Sequence, residues 1–232
     1  MSLGYITSDF GVAGDRDGFK TVFLCDEASL PVELPDETVF IFKKDVVLRD
    51  FMELFFVFEE SWQGVDANFV LFGIGSSDIM KPEKELVLEK KLNTLDFHQV
   101  PNRKGGQIIR SFETLISTLR DLKSVKQIIS FDPVSKRSSG FHNATVDFIA
   151  RRVQQNDGQH HHFTSSKRLQ LNRRRRKDIS ENFPCIEERL EDGSRLTQRE
   201  IRFWLKATMM LLDGDKDDDN VRIEGDFLKV KF

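Results

Sequence analysis

A chain of 232 residues with 39% hydrophobic content suits one α/β domain of ordinary size and supplies enough apolar material for a sizeable core. Its net charge of −3, with 31% charged residues, reads as a soluble intracellular surface, and two cysteines, Cys25 and Cys185, exclude a disulfide framework and show no metal-ligand spacing. No apolar run approaches the ~18 residues of a membrane span, and the first residues lack the basic and apolar regions of a signal peptide, so the expectation is a cytoplasmic protein with no membrane partner.

In chain order, residues 1–17 read as a flexible leader. Residues 20–25 then form a strand, closed by the polar pair Asp26 and Glu27, and residues 38–42 form a second. Leu48, Phe51, Met52, Phe55 and Phe56 recur at helical spacing, which predicts a helix over 47–58. The continuous apolar run 68–73 predicts a strand covered on both faces. Ile108, Phe112, Leu115, Ile116 and Leu119 define an amphipathic helix, followed by a buried strand over 125–131 that ends in Asp132 and Pro133. A helix over 143–153, a short strand at 161–163 and a strong helix over 197–212 complete the alternation. Thr197 and Glu200 form a capping-box pattern at the start of that last helix. An acidic turn and a C-terminal strand or hairpin occupy 213–232. Strands alternating with helices predict a mostly parallel sheet with helices on both faces. The 21 phenylalanines, against one tyrosine and two tryptophans, carry no polar handle and belong mostly in the core.

Within this acidic chain sits an unbroken cationic run, Arg173, Arg174, Arg175, Arg176 and Lys177, in a basic loop over 164–180. Adjacent like charges repel, so they stay together where solvent or a polyanion faces them. Arg151, Arg152, Lys167 and Arg168 widen the stretch. Nucleic-acid phosphates are the ligands such a patch fits, and RNA is the expected partner. A solvated basic loop, a nuclear import signal or an acidic protein partner is the alternative. A second, weaker phosphate contact is expected where Gly105 and Gly106 precede a helix, with Arg103, Lys104 and Arg110 nearby.

In a doubly wound fold the strand ends carry the chemistry, and here they follow a recognisable order. Leu24, Cys25, Asp26 and Glu27 close the first strand. Gly75, Ser76, Ser77 and Asp78 follow a middle strand, Asp132 and Pro133 follow a later one, and Asp192, Gly193, Ser194, Arg195, Leu196 and Thr197 lead into the last helix. In order and spacing these stretches resemble the SGNH or GDSL hydrolase family. That family has Gly-Asp-Ser at the first strand end, Gly-Thr-Asn-Asp at the middle one and Asp-x-x-His before the last helix. The resemblance covers most of residues 18–212 and implies an SGNH-like three-layer sandwich.

The departures fall on the reactive positions. By the resemblance, Glu27 stands where the nucleophilic serine belongs, Ser77 where an oxyanion-hole asparagine belongs, and Arg195 where the catalytic histidine belongs, with Asp192 before it. A guanidinium of pKa above ~12 cannot accept a proton at neutral pH, and a carboxylate does not replace a serine hydroxyl. The expectation is therefore a catalytically inactive domain with no cofactor and no small-molecule substrate. An ion pair between Glu27 and Arg195 is the expected replacement for the missing pair. Such a domain with a basic surface resembles a non-hydrolytic, RNA-binding member of the superfamily. The alternatives are a protein-interaction scaffold on the same fold, or a hydrolase with a displaced nucleophile such as Ser29 or Ser77 and a base drawn from His142, His160, His161 or His162.

Two metal-like patterns are read as structural. Asp213, Asp215, Asp217 and Glu224 fall at EF-hand spacing, but Asp218 occupies the position that needs glycine and a strand is expected after Glu224. His160, His161 and His162 alternate faces on a strand and cannot converge on one ion without bending. No metal is expected.

Overall fold

A computed structural model of the chain describes residues 9–57, 62, 64–75, 77–78, 103–122, 124–131, 159–163, 198–214, 221–224 and 227–230. Six strands form one sheet: β1 (Gly11–Gly14), β2 (Thr21–Asp26), β3 (Thr38–Lys43), β4 (Ala67–Phe72), β5 (Val125–Phe131) and β6 (His160–Phe163), in the spatial order β1-β3-β2-β4-β5-β6. β1 pairs antiparallel with β3, and every other neighbouring pair is parallel. Among the described residues three α-helices accompany them: α1 (Leu48–Val57), α2 (Arg103–Asp121) and α3 (Gln198–Asp213). A separate antiparallel hairpin, β7 (Val221–Glu224) and β8 (Phe227–Val230), lies against α3 through β7.

The two-residue period of each strand sorts its side chains between two cores. Val22, Leu24, Val39, Ile41, Phe69, Leu71 and Ile128 face α1 and α2, where they meet Leu48, Phe51, Phe112 and Leu115. Phe23, Cys25, Phe40, Val70, Phe72, Ile129 and Phe131 face α3, against Ile201, Trp204 and Leu205. Helices on both faces explain why β2 and β4 read as unbroken apolar runs. The phenylalanines do the filling. Phe23 stacks on Phe40 with centroids 4.4 Å apart, and Phe131 meets Phe72 and Trp204 edge-on at 5.3 and 5.0 Å. Each fully buried ring removes apolar surface worth roughly 2–3 kcal/mol.

The first strand departs from the expected leader. Residues 11–14 form an edge strand because Phe10 and Val12 pack onto the α1–α2 core, and Gly11 lets the Phe42 ring lie directly over the backbone, where any Cβ would collide. So short a strand, bounded by glycines, offers no periodicity to read. Gly105 and Gly106 also differ from expectation: they lie inside α2 rather than in a turn before it. The hairpin reading of the C-terminal stretch agrees with β7 and β8. The helix expected over 143–153, the basic loop 164–180 and Cys185 lie outside the described residues. Among the described residues no helix is long and apolar enough to cross a membrane.

Candidate functional site

Taken without the antiparallel edge, the parallel strands run β3-β2-β4-β5-β6, so the chain steps one way from β2 to β3 and the other way from β4 onward. The connection leaving β2 passes on the α3 side, where Leu30 joins that core, while those leaving β3 and β4 carry α1 and α2 on the other side. In open α/β sheets ligands bind at such a reversal, in the crevice outside the carboxyl ends of the flanking strands, here β2 and β4.

Asp26 closes β2 and divides its carboxylate between two amides. Oδ1 accepts from Ala28 N at 2.9 Å, capping a 3-10 turn over Glu27–Ser29, and Oδ2 accepts from Val46 N at 3.0 Å. Asp78, beyond β4, accepts from Leu48 N at 2.9 Å through Oδ2. Between them Asp50 Oδ2 accepts from Val47 N at 2.9 Å. Three consecutive amides at the entrance to α1 thus each meet a carboxylate, and each carboxylate comes from a different part of the chain. Helix N-termini leave their first amides unpaired and carry partial positive charge, so the arrangement satisfies both. Lys43 completes it: its Nζ donates to Asp50 Oδ1 at 2.9 Å and stands 5.6 Å from the Phe10 ring centroid. The hydrogen bond to Asp50, aided by the charges of Asp50, Asp9 and Glu53, holds the ammonium above its usual range against a smaller opposing effect of burial.

Around these fixed carboxylates lie the remaining crevice residues. Glu27 is exposed at the start of the 3-10 turn, and Ser77 is half-buried beside Asp78. Ser29 is buried against Gly73, which takes a left-handed φ of 66° and leaves no room for a Cβ before Ser29 Oγ. Cys25 is fully buried. Desolvation first, and the Asp26 charge second, push its thiol far above the usual range, which removes it as a nucleophile. On the α3 side Gln198 binds the exit from the turn like a strand partner: its Nε2 donates to Leu30 O at 2.8 Å and its Oε1 accepts from Val32 N at 3.1 Å.

The histidines stand elsewhere. His160 Nε2 and Ser130 Oγ lie 2.8 Å apart, both buried, across β5 and β6. Sheet spacing puts ~14 Å between the β2 and β6 backbones and ~10 Å between β4 and β6, beyond proton-transfer reach of Ser29 or Ser77. The triple histidine lies on a strand, β6, as expected, but His160 faces inward and is engaged. His142 and the His162 side chain lie outside the described residues.

The sequence-predicted residues therefore divide. Asp26, Glu27 and Ser77 come together at the crevice. Arg110 is exposed on α2, and Arg103 and Lys104 occupy its first turn. Arg151, Arg152, Lys167, Arg168, Arg173, Arg174, Arg175, Arg176, Lys177, Asp192 and Arg195 lie outside the described residues, and with them the Glu27–Arg195 pairing. Of the EF-hand-like positions, Asp213 ends α3 and Glu224 ends β7, so a strand occupies the place of the exiting helix; Asp215 and Asp217 lie outside. Among the described residues no cluster of metal-ligating side chains occurs. Sequence reasoning missed Asp50 and Gln198. For Asp50 a signal existed: an acid three residues into α1 is the reciprocal half of a capping box. For Gln198 there was none, since its partners are remote in sequence.

Comparison with protein-family models, with curated proteins and with solved structures finds no match for this chain.

Proposed function

We propose that the chain is a catalytically silent α/β domain, an SGNH-like three-layer sandwich, that binds RNA through its basic stretch. The observation that carries this reading is the division of labour at the crevice. Asp26 and Asp78, which match the family's motif, spend their carboxylates on amides of the turn into α1. Glu27 and Ser77, which depart from it, make no such bond among the described residues. A hydrolase scaffold relieved of catalysis keeps the carboxylates that hold its turns and is free to change the residues that served only the substrate. Binding then rests on phosphate contacts from Arg173, Arg174, Arg175, Arg176 and Lys177, with Arg151, Arg152, Lys167 and Arg168 supporting. A functional analogue is the C-terminal domain of Oskar, the insect germ-plasm organiser, an RNA-binding module without catalytic residues; a germ-plasm role follows from the same analogy.

The test replaces the five-residue run with serine and measures RNA filter binding across a salt titration. The expected result is weaker binding and a salt slope shallower by about 0.7 for each phosphate that is no longer neutralised. Unchanged affinity and slope overturn the assignment, as does acyl-ester hydrolysis by the purified chain.

A further inference from the structure

We infer that β1 is an exchangeable strand whose partner is a second copy of this chain: the β3 edge of one copy takes β1 of the other in place of its own. The inference stands apart from the RNA-binding reading. Among the described residues β1 ends the six-stranded sheet and makes its antiparallel pair. None of Gly11, Val12, Ala13 and Gly14 is buried, whereas residues 21–25 of β2 and 38–41 of β3 all are. The contacts that hold β1 go to β3 and α1. Gly11 lies under the Phe42 ring, and the Phe10 ring centroid stands 5.5 Å from that of Phe51 and 5.6 Å from Lys43 Nζ. Asp15 N, just past the strand, donates to Thr38 O at 2.9 Å. A second copy offers the same β3 and the same α1, so each of these contacts is remade between chains with its geometry unchanged.

The tether between β1 and β2 has the length for it. The two strands lie on opposite sides of β3, so residues 15–20 cross two strand spacings, ~10 Å. Six residues drawn out reach ~20 Å. A turn takes up the slack: Asp15 Oδ1 accepts from Asp17 N and from Gly18 N, both at 3.0 Å, and residues 14–18 are exposed. Opening that turn carries β1 to a neighbour while Thr21 keeps its place in the sheet. Exchange trades contacts for identical ones, so protein concentration sets the balance. Edge-to-edge pairing of two β1 strands is the less favoured route. The Asp15–Thr38 bond and the register make Gly11 and Ala13 bond to β3, so Val12 turns its carbonyl outward, where Arg16 Nη2 stands 3.5 Å away. A four-residue strand guarded by a cation is a poor template for a further strand.

The experiment divides the fit of Gly11 and Phe42 between two chains. Gly11→Val puts a branched side chain where the chain's own Phe42 ring lies, and Phe42→Ala clears that space. Mixed, the two variants form one unaltered Gly11–Phe42 contact and one in which the new valine fills the cleared space; neither homodimer has either. Native mass spectrometry of an equimolar mixture should show the heterodimer about tenfold above either homodimer, the ratio that ~1.4 kcal/mol supplies. Placing both substitutions in one chain restores the fit within that chain and should abolish the preference. Asp15→Ala, which leaves the β1–β3 fit intact and unties the turn, should raise the dimer fraction of the otherwise unaltered chain about threefold at ~100 μM, and it keeps the test open if Gly11→Val does not fold. A mixture with no excess of heterodimer, or a dimer fraction that Asp15→Ala leaves unmoved, overturns the exchange.

Discussion

Asp26 and Asp78, at the ends of neighbouring strands, grip the same turn: one takes the amide of Val46 and the other that of Leu48. They tie the ends of β2 and β4 to the start of α1. Asp26→Asn and Asp78→Asn should each cost about 1–2 kcal/mol, the usual loss at a helix N-cap. Because both carboxylates hold one turn, the double variant should lose less than the sum. Urea denaturation of the four proteins measures this; strict additivity would mean the two contacts act independently.

Gly73 and Ser29 meet just beyond the same two strand ends. Gly73→Ala forces a left-handed backbone on a residue with a Cβ, about 1–2 kcal/mol, and drives that Cβ into the Ser29 hydroxyl. Ser29→Ala in the same chain should recover part of the collision and none of the backbone strain. A double variant no more stable than Gly73→Ala would show that the hydroxyl contact is unimportant.

These sites also show how far the sequence could be read. The parallel sheet, α1, α2 and α3 were legible from alternation and from apolar residues that repeat at 3.6, the C-terminal stretch as a strand or hairpin, and the strands ending in Phe72 and Phe131 as buried runs. β1 was not, because its place depends on the fit of Phe42 over Gly11, which no periodicity records. At the site, Asp26, Glu27 and Ser77 were found through their order along the chain. Their roles were not: that Asp26 holds Val46 is a contact between strand ends, set by sheet topology. The Ser130–His160 pair was hidden for the same reason, since register between β5 and β6 alone brings the two side chains together.

That pair yields a third prediction. Ser130→Ala leaves His160 buried without its hydroxyl partner and should cost about 1–3 kcal/mol, more than loss of an exposed hydroxyl. Thermal denaturation reads the change, and under the proposed function RNA affinity should stay constant because the pair is buried between β5 and β6. A loss of RNA affinity in a folded variant would move the pair from structure to function.

Lys43 provides a pH-dependent test. Its folded pKa is raised above the ordinary 10.5, so its linked stabilisation is full below that value and is lost as pH rises through the folded pKa. The pair with Asp50 is partly shielded, with side chains 30% and 20% exposed. Lys43→Met should cost about 1 kcal/mol at neutral pH. The gap between the two proteins should narrow in strong alkali, when the lysine itself becomes neutral. A gap that persists above about pH 12 would assign the loss to packing against Phe10 rather than to charge.

The last prediction concerns chemistry at Glu27. Placing at Glu27 the serine that the proposed SGNH-like reading assigns to that position, Glu27→Ser, supplies a hydroxyl at the end of β2, yet hydrolysis also needs a base within hydrogen-bond reach. His160 is bonded to Ser130, with two strands between β6 and β2. Arg195, at the position the resemblance gives to the catalytic histidine, cannot accept a proton at neutral pH. Glu27→Ser should therefore hydrolyse p-nitrophenyl acetate within about twofold of the buffer rate. Adding Arg195→His supplies the missing base if the two positions meet as the resemblance requires, so a rate that rises only in the double variant would support the shared ancestry of the site. A rise in the single variant would mean that another base stands at the crevice, and the silent-enzyme reading would fail.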